Sequence, residues 1–260
     1  GVTTGSTLRL SVAATAQTIS STTALQNASN DVLNIAITAN TTAGDVDVSG
    51  TGVTATNIET IAITNNYNSA MTAANKTTAL AATQAAAITI LSNQPTTITV
   101  TGDASLDLTA ASTLLTSMDA SGITVGATGV FSWTAGVLTA AATVKGAASA
   151  INNINLASAT EKVTYTGSSG NDSIVLATAD KANVLTLGNG TNAVTGVSVG
   201  DNTITGGTGN DTINGGAGND TITSSAGNNT VVGGTGNDTI TTGAGNDSIT
   251  TGTGTDTVDA

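Results

Sequence analysis

The chain has 260 residues, with 31 Gly, one Pro, no Cys, no His and only 2 % aromatic residues. Its 17 acidic residues against five basic ones give a net charge of −12, which disfavours nucleic-acid phosphates and anionic membrane surfaces as partners and makes cations the natural counterpart. Without His or Cys there can be no Ser-His-Asp triad and no cysteine nucleophile, so no enzyme is expected.

Charged residues make up only 8 % of the chain, which is too sparse for a disordered acidic tail and reads as polar β structure. Burial of large side chains is the main favourable term in folding. A chain so poor in Phe, Trp and Tyr is therefore expected to lean on repetition, with metal ions in place of a thick apolar interior. No run of eighteen apolar residues exists, so no membrane span is expected, and the start Gly1-Val2-Thr3-Thr4 shows neither initiator Met nor signal peptide, as in a piece of a longer protein. Arg9, Lys76, Lys145, Lys162 and Lys181 are too scattered to form an anion site.

Through residue 166, strand-like pieces follow one another at irregular spacing: Asp31–Thr38, Asn57–Thr64, Ala87–Leu91, Thr96–Thr101, Ser105–Thr109, Gly122–Val125 and Glu161–Thr166. They are β-branched and alternate apolar residues with Thr or Ser, as strands buried on one face do. The Ala-rich insert Met71–Ala87 could be helical. Inserts and uneven spacing favour a parallel β-solenoid, with an antiparallel sandwich as the competing architecture. Asp45 with Asp47, and Asp103 with Asp107, are either additional cation sites at turns or solvated turn residues. Asp31 and Asp119 read as turn-forming side chains. Phe131 and Trp133 would share one side of an extended segment, facing the core or another subunit.

From residue 167 a period of nine emerges. Weak copies start at Gly167, Thr178, Leu187 and Val197, and from Gly206 six units run without a gap to Asp259: GGTGNDTIN, GGAGNDTIT, SSAGNNTVV, GGTGNDTIT, TGAGNDSIT and TGTGTDTVD. A fixed period of this kind signals a coil-stacked fold. Positions two and four carry Gly207, Gly209, Gly216, Gly218, Gly234, Gly236, Gly243, Gly245, Gly252 and Gly254, which permit a tight turn that brings carbonyl oxygens together. Position six adds a side-chain oxygen, and position eight an aliphatic residue: Ile213, Ile222, Val231, Ile240, Ile249 and Val258. Two units make one coil, so alternate units share an edge. One edge then carries Asn202, Asp220, Asp238 and Asp256, and the other Asn192, Asp211, Asn229 and Asp247, with Asp172 in the earliest copy. A glycine-rich linker or silk-like tract would not keep an Asx and an aliphatic residue in fixed phase.

An oxygen-only ligand set suits a hard cation, calcium rather than magnesium, whose octahedron is stricter. Several calcium ions are expected, tighter between Asp220 and Asp238 and between Asp238 and Asp256 than at the Asn229 loop. Stacked aspartates about 4.8 Å apart repel by about 1 kcal/mol in water. The array is therefore expected to be disordered in low calcium and folded in millimolar calcium.

The pattern Gly-Gly-x-Gly-x-Asp-x-U-x resembles the RTX calcium-binding nonapeptide. TITVTGDASLDLT (Thr97–Thr109), LLTSMDASGITV (Leu114–Val125), NIETIAIT and EKVTYTGSSGNDSIVL resemble the body of Caulobacter-type S-layer proteins. Together these resemblances imply an all-β fold: a Thr/Ala-rich parallel β-solenoid over 1–166 continuing into a right-handed RTX parallel β-roll over 167–260. They also imply a secreted, extracellular protein at the cell surface. There calcium drives assembly of a homo-oligomer or two-dimensional lattice, anchored to cell-surface polysaccharide through a region outside this chain. The alternative is the calcium-rigidified repeat region of a large secreted RTX adhesin, toxin or protease.

Overall fold

The computed structural model describes residues 7–11, 32–39, 47–53, 58–67, 86–90, 95–110, 112–125, 129–196 and 198–260. Among them, twenty-two strands form two sheets of 12 and 10 strands, and there is no helix. The chain alternates between the sheets: Val130–Ala135 lies in one, Ala142–Lys145 in the other, Ile151–Asn155 in the first again and Val163–Thr166 in the second. Each coil so adds a strand to both sheets, and the facing strand serves as the crossover that parallel pairing needs. Every pairing is parallel, from Thr7–Ser11 beside Val32–Ala39 to Thr239–Thr241 beside Thr257–Asp259. This is a parallel β-solenoid; the antiparallel sandwich is excluded.

The interior is built by strict alternation. Leu106 and Leu108 point inward while Asp107 and Thr109 point out, giving the two-residue period of a strand with one buried face. Parallel register then stacks like on like. Leu185, Ile204, Ile222 and Ile240 form one continuous column, and Ile154, Ile174, Val194, Ile213 and Val231 form the facing one. This corrects the expectation of a thin interior replaced by metal: both columns are sealed from solvent. A coil of eighteen residues encloses a space two aliphatic side chains wide, which Ile, Val and Leu fill without rings. The wider coils upstream take the aromatics, and Phe131, Trp133 and Tyr165 are fully buried there, so Phe131 and Trp133 are core residues. Among the described residues the last rung is open, with Ile249 partly buried and Val258 44 % exposed.

The predicted strands fall close to observed ones: Val32–Ala39, Thr60–Tyr67, Ala86–Ile90, Thr97–Gly102, Leu106–Ala110 and Val163–Thr166. Gly122–Val125 catches only the end of Ser117–Ile123. Thr7–Ser11, Asp47–Val53, Val130–Ala135, Ala142–Lys145 and Ile151–Asn155 escaped the reading. The last two are short, and INNIN is polar on its outer face. Of the proposed helical insert, 71–85 lies outside the described residues and Ala86-Ala87 is strand; Asp31 and Asp45 also lie outside them. Asp119, read as a turn residue, lies instead within the strand Ser117–Ile123, at a break in its register with Thr97–Gly102, where its Oδ1 accepts the Ser121 N–H at 3.0 Å and its Oδ2 accepts from Lys145 Nζ at 3.0 Å. Burial raises its carboxyl, but the bonds from Ser121 and Lys145 prevail and hold it below its ordinary value. Lys181 pairs with Glu161 at 3.3 Å.

Position along the column sets what each aliphatic residue contributes. In calcium-containing buffer, Ile222→Ala should lose about 2–5 kcal/mol in denaturant unfolding, whereas Val258→Ala on the open rung should lose less than about 1 kcal/mol.

Candidate metal-binding edges

Between strands, each coil turns twice through a glycine loop, and the loops stack into two edges. Gly234, at position two, has φ of 119°, and a Cβ there would strike the carbonyl oxygen of Gly216 one coil earlier. Only glycine permits both the backbone angle and the approach. The other glycines singled out at positions two and four also have positive φ. Ser225 is the exception, a non-glycine held at φ 66° in the one regular unit without glycine at position two.

Position six builds a ladder up each edge. On one, Asn202 donates its backbone N–H to Asp220 Oδ1 (2.7 Å), Asp220 to Asp238 Oδ1 (2.9 Å) and Asp238 to Asp256 Oδ1 (2.9 Å). On the other, Asn192 donates to Asp211 Oδ1 (3.0 Å), Asp211 to Asn229 Oδ1 (2.9 Å) and Asn229 to Asp247 Oδ1 (2.8 Å). Backbone groups that would be orphaned at a turn are thus satisfied by the side chain one coil ahead. An outer ladder of the same kind runs through position five, where Asn237 donates to Asn219 Oδ1 (2.8 Å) and Asn228 to Asn210 Oδ1 (2.8 Å). The near-invariant Asn at that position carried this signal in the sequence, and the reading passed over it.

The second carboxylate oxygen has no such partner. Asp211, Asp220 and Asp238 are each 1 % exposed, and their Oδ2 atoms are buried without any hydrogen-bond partner. Position one explains where they point. A Cβ on Gly233 would lie 2.5 Å from Asp238 Oδ2 and 2.5 Å from the Thr251 carbonyl oxygen; on Gly215 it would lie 2.6 Å from Asp220 Oδ2 and 2.7 Å from the Gly233 carbonyl oxygen. Gly206 stands in the same relation to Asp211 Oδ2 and the Ser224 carbonyl. Sequence reasoning had assigned no role to these position-one glycines. They leave open the space into which carboxylate and carbonyl oxygens converge.

Oxygen facing oxygen in a buried place, with no donor between, is repulsive unless a cation or proton intervenes. Burial pushes the carboxyls of Asp211 and Asp220 up to about 6 against the opposing bonds from Asn192 and Asn202, and raises that of Asp238. Anionic and carbonyl oxygens with no nitrogen or sulfur ligand fit a hard divalent ion of the calcium type. Among the described residues no three carboxylates cluster, so backbone carbonyls must supply much of any coordination. Asp247 and Asp256 are only partly buried, and Thr242 and Thr251 stand at position one of their units.

Asp172 is set apart. Its Oδ2 accepts the Tyr165 hydroxyl at 2.9 Å and its Oδ1 accepts from Asn152 Nδ2 at 2.7 Å. Burial still raises its carboxyl to about 6, while those two bonds pull the other way. The amide groups of Asn202 and Asn229 are also engaged, donating from Nδ2 to the Gly200 carbonyl (2.6 Å) and to the Ser225 and Gly227 carbonyls (3.1 Å each). Of the upstream acids, Asp107 is exposed on the outer face of its strand, its carboxyl raised by partial burial.

A parallel solenoid with glycine-turned edges and donorless aspartate oxygens belongs to the class of metal-binding β-rolls. The RTX calcium-binding nonapeptide repeat (4 copies) matches residues 198–231 and 223–258, so this chain carries RTX calcium-binding repeats, and the match takes in the weak unit before Gly206. No curated protein and no solved structure matches the chain.

The raised carboxyls fix a sign for the pH response. A group whose folded pKa is raised stabilises the fold below its unfolded value and loses that contribution as pH rises through the folded one. In EGTA, the β signal of the array in circular dichroism should therefore be highest near pH 4, fall between about 4 and 6, and level off at its lowest above about 7. Filling the open space should act on uptake: Gly233→Ala, at a position without positive φ, is expected to weaken calcium binding measured by calorimetry by about tenfold or more.

Proposed function

We propose that this chain is a calcium-binding structural segment of a secreted bacterial protein, serving as part of a surface layer in which calcium drives folding and self-assembly. The observation that supports the calcium reading is the row of buried, donorless Oδ2 atoms on Asp211, Asp220 and Asp238, each beside a glycine without Cβ. When bound, calcium supplies positive charge between successive rungs. The chain's own residues supply the oxygens, the turn and the spacing. No helix among the described residues is long and apolar enough to cross a membrane, and the repeat family supports export. Thr/Ala-rich strands running unbroken into the repeats support the lattice reading.

A second reading, the calcium-stiffened stalk of a large adhesin, toxin or protease, is favoured by the regular stacking from Thr203 to Asp259, which is the geometry of a rod. In either role the absence of His and Cys argues for mechanical rather than catalytic work. We assign residues 1–166 to the irregular solenoid and 167–260 to the RTX roll, which is regular from 206.

Calcium at about 100 times its dissociation constant should add roughly 2.7 kcal/mol per independent site to the stability of the folded state, seen as a rise in melting temperature that EGTA reverses. Asp238→Ala should weaken uptake on two adjacent rungs, and Asn229→Ala should change it less. Identical β signal and melting with and without EGTA would refute the calcium role. Two-dimensional sheets by negative-stain microscopy in millimolar calcium would support the lattice, and monodisperse rods the stalk.

A further inference from the structure

The loops that carry asparagine at position six share a feature that the aspartate loops lack. Asn192 Nδ2 donates to the carbonyls of Gly188 (3.2 Å), at position two of its own loop, and of Gly206 (3.3 Å), at position one of the next loop on that edge. Asn202 Nδ2 reaches the carbonyls of Gly200 (2.6 Å), at position four, and Gly215 (3.2 Å), at position one of the next loop. Asn229 Nδ2 reaches positions two and four of its own loop, and Asn183 Nδ2 reaches position four through the Lys181 carbonyl (3.2 Å). Four loops thus use one set of carbonyl oxygens, with an amide nitrogen in their midst.

In the aspartate loops that nitrogen is replaced by an oxygen. Asp220 Oδ2 and Asp238 Oδ2 face the position-one carbonyls of the next loop with no proton to offer, and both are unpartnered and 1 % exposed. Oδ1 does the same work in both residue types, accepting the backbone N–H one coil earlier. At position six the difference between the two kinds of loop is therefore one atom and its protons. We propose that position six is a rung-by-rung selector: asparagine closes its loop with its own amide and needs no metal, whereas aspartate leaves a donorless cage that closes only on a cation.

This rests on the calcium reading above and sharpens it into a map. The loops at Asn183, Asn192 and Asn202 are self-closed, and the Asp172 loop is closed by the Tyr165 hydroxyl. The stretch through Thr205 is then a metal-independent platform. Calcium dependence begins at Gly206 and is interrupted by one self-closed rung at Asn229. Because the sheets are continuous from Val163–Thr166 through Val184–Thr186 to Thr203–Thr205 and beyond, the preformed rungs offer a template edge on which the calcium-dependent ones are laid.

The test uses the full chain with Asp238→Asn, Asp238→Ala and Asn202→Asp, read by calcium calorimetry and by hydrogen exchange in EGTA. Wild type in EGTA should keep protection through about residue 205 and lose it beyond, least around the self-closed Asn229 loop. Asp238→Asn should bind less calcium, yet in EGTA protect residues 233–241 about tenfold better than wild type or Asp238→Ala, since it gains hydrogen bonds that neither of those makes. Asn202→Asp should gain calcium uptake and lose protection around residues 198–205 in EGTA, with calcium restoring it. The selector is wrong if Asp238→Asn is no better protected than Asp238→Ala, or if Asn202→Asp leaves protection in EGTA unchanged. A wild-type chain that takes up no calcium would sink the proposed function, while the Asn-against-Ala comparison in EGTA would still judge the selector.

Discussion

A parallel solenoid lays each coil directly on the last, so residues at equivalent positions are brought about 4.8 Å apart whether or not they attract. For aliphatic residues this is favourable, and the columns through Ile204, Ile222 and Ile240 and through Ile174, Val194 and Ile213 show it. For carboxylates it is not. The edges of this protein are organised around that conflict: one oxygen of each position-six side chain is used to hold the neighbouring backbone, and the other must be neutralised. Amide nitrogen, a tyrosine hydroxyl and a metal ion are three solutions to one electrostatic problem, arranged along the same stack.

The interior and the edges are therefore separate contributions to stability. The apolar columns are sealed up to the last rung, so the expectation that ions replace an absent core does not hold. The two aliphatic side chains of each coil act together with the hydrogen bonds of two sheets and with the loops at the edges in holding the stack. Upstream coils reduce their dependence on the edges by enclosing Phe131, Trp133 and Tyr165, which bury far more area per residue.

This division gives a functional logic to the fading of the repeat toward its start. The regular units are alike because every rung there faces the same edge chemistry. Upstream, where the coil is wider and the edges are closed by hydrogen bonds, the sequence is free to drift in length and composition. The pairing of Asn152 with Asp172 is twenty residues apart, against eighteen for Asp220 with Asp238, and the extra residues enlarge the loops without breaking the sheet register.

The sequence by itself determined the all-β class, the phase of nine, the assignment of alternate units to opposite edges and the oxygen-only donor set. Each of these follows from residue type and spacing, which survive as a linear pattern. It also placed six of the twelve described strands through residue 166 closely, because alternating Thr and aliphatic residues have a two-residue period. It passed over Val130–Ala135, Ala142–Lys145 and Ile151–Asn155, where short or polar-faced strands are held by their neighbours in the stack. Only the tertiary structure decided what each side chain meets. That Asp172 is served by Tyr165 and Asn152, that Gly206, Gly215 and Gly233 open the space beside a carboxylate, and that Asn and Asp differ by a proton donor in a cage of carbonyls all depend on contacts across coils. Such contacts are set by which loop lies above which, a relation that the linear pattern implies but does not measure.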